Sequence, residues 1–423
     1  MRTLLLETPL HWSSENLKDK KSSMQSRRIV ITDVGTISAL GVGFSNIPAA
    51  MALPLSKVAV KDYEFHQLEK EIQCFVIRDF DPVAVLGKKG LRTKDNATKL
   101  LLGTFEIGLK EAMESLDEQN RPGICIGTAF GSVQSIGDFL SDSIVNGVNS
   151  VNPQAFANTV INSPTGNSNI RFDAKNLSAT IATGFNSGID ALIYAFDYIQ
   201  RGYIDRIVAG GLEEISYYSL LGLSRTGLIS PSANIRPFAI DSDGIVVGEG
   251  CALFHLETEE AAKQRGAQIQ AEIIGAANGF DPDAAFGDSP DAQTAANIFK
   301  TACQQAQISP EEIDFIASSA NGNPRSDSVE ATALKEVFGN KTPITTYKSL
   351  TGECYGASGA IVTACALSDL KNGTISGNTT AYKTLHDLPV VFDTIKKDST
   401  IAMVTSVSCD GNCSAIIIKN RKS

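Results

Sequence analysis

The sequence predicts an α/β protein built from two similar halves, and three observations carry that prediction. Short apolar runs rich in Val, Ile, Cys and Ala alternate with longer segments of helical periodicity. Those runs are apolar almost without interruption, as expected for strands buried on both faces of a sheet. The same order of elements then recurs in the second half, which suggests an internal duplication with halves at 28–260 and 261–423.

Taken in order, the first strand is Arg28–Gly35, a short apolar run closed by a glycine turn. Asn96–Leu116 reads as one amphipathic helix, with Leu101, Phe105, Leu109, Ala112 and Leu116 on its apolar side. Strands follow at Gly123–Thr128, Ser178–Ala182, Arg206–Ala209 and Cys251–Glu257, with a helix at Ile189–Arg201. The second half offers strands at Ala271–Ala276, Ile313–Ser318, Pro343–Thr346, Ile401–Ser406 and Ser414–Lys419. Its helices fall at Asp291–Gln305, Asp327–Phe338 and Gly359–Asn372. Residues 1–27 are polar and irregular apart from Leu4-Leu5-Leu6, too short an apolar core for a secretory signal, and read as a flexible extension.

Bulk properties narrow the function. The 423 residues carry a formal net charge of −10, which argues against a nucleic-acid partner and against an anionic membrane surface. No apolar run approaches the roughly 18 residues of a membrane span. The eight cysteines are scattered through apolar contexts without metal-ligand spacing, as for small buried hydrophobes in a reducing cytoplasm. The four histidines, His11, His66, His255 and His386, read as structural, and no metal is expected.

The most informative segment is Ser178–Leu192, an apolar strand, a small-residue turn and a helix start. Such a turn holds one side chain above the sheet at a helix N-terminus, where free N–H groups lower a thiol's pKa and can bind an oxyanion. The side chain held there is Phe185, which has neither a proton to give nor a lone pair to attack with.

Several stretches together resemble the ketosynthase family, the β-ketoacyl-acyl-carrier-protein synthases. They are Val208–Glu213, Arg236–Gly244, Val247–Gly250 and Lys348–Gly352, in family order and spacing. The resemblance covers Arg28 to Lys419 and implies a thiolase-like fold, layered αβαβα. It also implies a Cys-His-His site for Claisen condensation, in which the cysteine holds the acyl chain and the histidines stabilise an enolate. Matched by motif, the cysteine position is Phe185, the first histidine Ser319 and the second Glu353. The family's buried charged network maps to Lys348, Asp327 and Glu330, expected to persist as a structural ion-pair cluster. The segment Val407–Cys413 matches the family's gating loop without its phenylalanine, and Cys409 and Cys413 lack an activating neighbour.

With all three catalytic identities replaced, the resemblance implies a degenerate partner subunit, the chain length factor of type II polyketide synthases. Such a subunit pairs with an active ketosynthase, takes substrates on the phosphopantetheine of a separate acyl carrier protein, and needs no cofactor of its own. The expected tunnel-lining residues are Val133, Ile136 and Leu140, one face of a helix at i, i+3, i+7, joined by Phe156. Ordinary core packing of an amphipathic helix would satisfy the same spacing. A ketosynthase-like scaffold, or an enzyme of altered chemistry using Ser319, Glu353 or a remote cysteine, are the other readings. Phe185 itself is expected to plug a vestigial pocket.

Overall fold

The structure is a computed structural model that describes residues 27–53, 55–62, 66–286, 291–378 and 381–421. The expected N-terminal extension lies outside these residues except for Arg27, whose guanidinium donates to Asp205 at 2.7 Å.

Ten strands run edge to edge through one large sheet. In chain order they are β1 (Ile29–Ser38), β2 (Gly123–Gly127), β3 (Ser178–Ile181), β4 (Arg206–Glu213) and β5 (Gly250–Thr258). The second half supplies β6 (Ala271–Phe280), β7 (Phe315–Ala317), β8 (Ile344–Thr345), β9 (Ile401–Val407) and β10 (Asn412–Asn420). The spatial order is β8-β7-β9-β10-β6-β1-β5-β4-β2-β3. Each half therefore repeats the same arrangement: its first strand pairs antiparallel with its fifth, the fifth antiparallel with the fourth, and the fourth, second and third lie parallel. The halves join where Ile29–Ile31 of β1 meets Ala271–Ile273 of β6. The strands β4, β5 and β9 are buried along their whole length, which is why they read as unbroken apolar runs.

Seven helices frame the sheet and the site: α1 (Asn96–Gly108), α2 (Val133–Asn146), α3 (Ser187–Gln200), α4 (Tyr217–Ser224), α5 (Ala292–Ala306), α6 (Pro324–Phe338) and α7 (Ser358–Asn372). Equivalent helices α3 and α7, one from each half, pack on each other in the middle layer and share one core with β4, β5, β9 and β10. The contact is close enough that a Cβ on Gly359 would sit 2.7 Å from the Cβ of Ile189.

The helix expected over Asn96–Leu116 is interrupted. It ends at Gly108, Leu109 leaves the helical region (φ −130°), and a short helix resumes at Lys110–Glu114. The cause is a backbone crossing, since a Cβ on Gly108 would lie 2.1 Å from the Cα of Gly35 on β1. Two small sheets escaped the apolar pattern. The hairpin Val58–Asp62/Gln67–Phe75 pairs with Val247–Gly248 in a small separate sheet, and Thr374–Asn378 pairs with Asp393–Lys396.

Candidate functional site

The turn between β3 and α3 forms as expected. A single 3-10 turn, Gly184–Asn186, leads into α3, and Phe185 sits at its centre. Gly184 holds φ +68°, a conformation that suits glycine, and its Cα faces the Asp410 carboxylate closely enough that a Cβ would collide with it. The Phe185 ring turns inward against Tyr355, 5.1 Å between centroids and edge to face, and Tyr355 meets Phe130 in the same way at 5.2 Å. Tyr355 is wholly buried and its hydroxyl has no partner among the described residues.

Phe185 and Glu353 converge on one small cavity, with Ser319 close behind it. The cavity is lined by Phe185, Asn186, Asn321, Lys348, Glu353 and Cys409 among others, and its volume is about 10 Å³. That is the size of one water molecule, so no acyl chain fits it.

Glu353 is buried and fully engaged. Its Oε2 accepts from Lys348 Nζ at 2.7 Å and from Asn321 Nδ2 at 2.6 Å. Its Oε1 accepts from the Tyr355 backbone N–H at 2.9 Å and from Ser358 Oγ at 2.6 Å. Ser319 is engaged as well, donating from Oγ to Glu330 Oε2 at 2.8 Å and accepting the Val407 N–H at 2.8 Å. Neither side chain has a free polar edge to offer a substrate.

The expected ion-pair cluster of Lys348, Asp327 and Glu330 resolves differently. The salt bridge that forms is Lys348–Glu353. Asp327 is instead a loop clasp, accepting the backbone N–H groups of Asn321, Gly322 and Phe238 at 2.8–3.0 Å. Glu330 accepts from Ser318, Ser319 and Thr405. Burial pushes Asp327 up to about 7 and raises Glu330 also. Lys348 thus pairs with Glu353, while Asp327 and Glu330 are answered by backbone N–H groups and hydroxyls.

On the other side of the site, Glu213 at the end of β4 accepts from the N–H groups of Ala129, Phe130 and Gly356 and from Thr128 Oγ1, and burial pushes it up to about 7. Its neighbour Glu214 is raised well above the carboxylate range by burial and by Asp95, Glu249 and Glu213 around it. Glu214 Oε1 has no partner among the described residues. Burial drives the Cys413 thiol up to about 12 and raises Cys409, so neither holds a ready thiolate. Among the described residues every cysteine is free.

Of the expected tunnel residues, Val133, Ile136 and Leu140 lie on α2, which has no fully buried residue. Val133 and Ile136 are half-buried and Leu140 is exposed. The stripe continues outward through Ile144 (82% exposed) and Val148 (76%). Phe156 stands in the 3-10 segment Pro153–Asn158, 61% exposed, with its ring 5.9 Å from that of Phe139. Sequence reasoning missed Asn321, Tyr355 and Phe130; the only signal was their place beside glycines in the turns that precede or follow matched motifs.

Comparison with known proteins agrees with this geometry. The family described as "Beta-ketoacyl synthase, N-terminal domain" matches residues 50–262, and "Beta-ketoacyl synthase, C-terminal domain" matches residues 270–381. The 3-oxoacyl-(acyl-carrier-protein) synthase 2 of Coxiella burnetii is 29% identical over 363 residues, covering 83% of this chain and 87% of that protein. A beta-ketoacyl synthase from Burkholderia phymatum superposes with a TM-score of 0.84 at 25% identity, over 94% of this chain and all of that one. A structure titled "The ishigamide ketosynthase/chain length factor" superposes at 0.85 with 23% identity, over 94% of this chain and all of that one. With two matching domains in order on a thiolase-like sheet, the chain belongs to the beta-ketoacyl synthase family.

Proposed function

We propose that this chain is a non-catalytic chain length subunit, which pairs with an active ketosynthase and shapes the tunnel in which that partner's acyl chain grows. The observation that carries the proposal is the closed pocket. Phe185 fills the nucleophile's turn, Ser319 and Glu353 are fully hydrogen-bonded inward, and about 10 Å³ of space is left between them. A condensing site needs a thiolate, two free donors and room for a chain. The same engagement of Ser319 and Glu353 stands against a self-standing enzyme of altered chemistry.

A partner is supported by what the chain leaves uncovered. Leu140 and Ile144 on α2, with Val148 and Phe156 beyond its end, are large, apolar and exposed. One similar solved structure is a ketosynthase paired with a chain length factor. Substrates would come on the phosphopantetheine of a separate acyl carrier protein, and Lys88, Lys89 and Arg92, exposed in a chain of net charge −10, offer an acidic carrier a local landing place. Among the described residues no helix is long and apolar enough to cross a membrane.

The test is condensation with malonyl-loaded carrier protein, by the full chain alone and with the active ketosynthase it is co-expressed with. No product from the chain alone and product from the pair is the expected result. Product from the chain alone overturns the proposal, and a pair whose product length ignores every substitution on α2 points to a scaffold.

A further inference from the structure

A second, much larger cavity lies on the opposite side of α2 from the Val133–Ile136–Leu140 stripe, since residues 135, 138, 142 and 145 fall half a helical turn away from it. Its volume is about 650 Å³, within the range of small-molecule sites, and it opens between α2, the Asn152–Asn158 segment and His66. Nothing in the closed pocket accounts for it.

The walls define what would fit. Asp138 and Asp142 both line the cavity, and among the described residues no Lys or Arg does. An anionic ligand is therefore repelled. A purely apolar ligand would strip water from two carboxylates without replacing it. The carboxylates are already partly answered: Gln134 donates to Asp138 at 2.9 Å, Asn146 donates to Asp142 at 2.7 Å, and His66 Nε2 lies 3.3 Å from Asp138. That leaves acceptor capacity for a neutral donor rather than a demand for a full positive charge. The ring of His66 is held by stacking on Tyr217 at 4.6 Å and by a 2.8 Å contact between its Nε2 and the Tyr218 hydroxyl. Phe139 gives an apolar, aromatic wall next to these polar groups.

We propose that this cavity binds a neutral, hydroxyl-bearing aromatic group, a phenol, whose ring rests on Phe139 and whose O–H donates to Asp138 or Asp142. The assignment rests on the cavity's own walls and not on the chain length function proposed for this subunit, because the cavity faces away from the Val133–Ile136–Leu140 stripe.

Saturation-transfer NMR on the full chain with four probes of one shape tests it: p-cresol, 4-methylanisole, 4-methylbenzoate and 4-methylbenzylamine. Saturable binding of p-cresol is expected, with 4-methylanisole weaker by about tenfold or more, the worth of one hydrogen bond to a charged acceptor, and 4-methylbenzoate silent. Asp138→Asn with Asp142→Asn should bring p-cresol down to the level of 4-methylanisole. Equal binding of p-cresol and 4-methylanisole, tighter binding of 4-methylbenzylamine, or no saturable binding of p-cresol each overturns the proposal. Should the double variant fail to fold, the probe series on the native chain still decides.

Discussion

Lys348 and Glu353 form a salt bridge at 2.7 Å with both side chains shut away from solvent, beside the small cavity that Phe185 also lines. The pair is surrounded by its own satisfied partners, Asn321, Ser358 and the Tyr355 N–H. Replacing Glu353 by Gln would leave a lysine charge buried with no counter-charge, at a cost of about 3–5 kcal/mol. Urea unfolding of Glu353→Gln measures this. Adding Lys348→Met should restore part of the loss, and a double variant no more stable than Glu353→Gln would show that the charge is not what matters.

Phe185→Cys returns a thiol to the turn but does not return condensation, because Ser319 and Glu353 hold no free donor toward it. The ring is half-buried, so its removal should cost about 1–2 kcal/mol, less than a fully buried phenylalanine. Iodoacetamide labelling would report the thiol and a malonyl-carrier condensation assay the chemistry. Condensation at the rate of an active ketosynthase from this one change would contradict the account of the site.

Glu214 makes stability depend on pH. Its folded pKa is raised by burial and by three neighbouring acids, whereas the unfolded value is about 4.3. Its contribution is therefore intact below about pH 4. It is lost as pH rises toward the folded pKa, because the unfolded chain ionises first. A glutamine does not titrate, so Glu214→Gln should gain on the native chain as pH rises, by up to about 1.4 kcal/mol per pH unit inside that window. Urea midpoints for both chains at pH 5 and pH 7 give the comparison, and a difference that does not grow with pH would refute it.

Ile144→Asp places a charge in the exposed apolar stripe. Since Ile144 is 82% exposed, the fold should change by no more than about 0.5 kcal/mol. Association with the ketosynthase partner should weaken tenfold or more, about 1.4 kcal/mol. Sedimentation of the mixed subunits reads the association. An unweakened complex would take this stripe out of the interface.

Ile136→Ala shortens a half-buried side chain on the same face. In the ketosynthase pair it should lengthen the released product by one or more elongation steps while leaving the initial rate within about twofold, since the change removes a block and not a contact with the reacting atoms. Mass spectrometry of the products gives the answer, and an unchanged chain length removes Ile136, and with it the face it shares with Val133 and Leu140, from the tunnel.

The central strands were legible because burial on both faces writes itself as runs of apolar sequence, as in Ile207–Leu212 and Ile401–Val404. Phe185, Ser319 and Glu353 could be singled out because each stands inside a stretch that resembles a family motif. What escaped notice was written in backbone rather than side chains. The break after Gly108 comes from a crossing with Gly35, while the apolar spacing runs on to Leu116 as if nothing had happened. The hairpin strand Gln67–Phe75 buries Leu68 and Ile72 four residues apart, with charged residues between, and so shows no strand alternation. The pairing of Lys348 with Glu353 rather than with Asp327 or Glu330 depends on loops that bring Asn321 and Ser358 together from 37 positions apart, a distance no local pattern spans.

The repeated strand order has a further consequence at the two turns that open α3 and α7. Gly184 and Tyr355 occupy the same place in their respective halves, three residues before the helix, and both adopt a left-handed backbone, φ +68° and +45°. One copy of the turn kept the residue such a backbone favours; the other accepts strain of about 1–3 kcal/mol and gains a ring. That ring reaches across the molecular midline and lies against Phe185, so that each copy of an ancestral motif stoppers the other. The inward packing of Phe185 is then a joint property of both repeats.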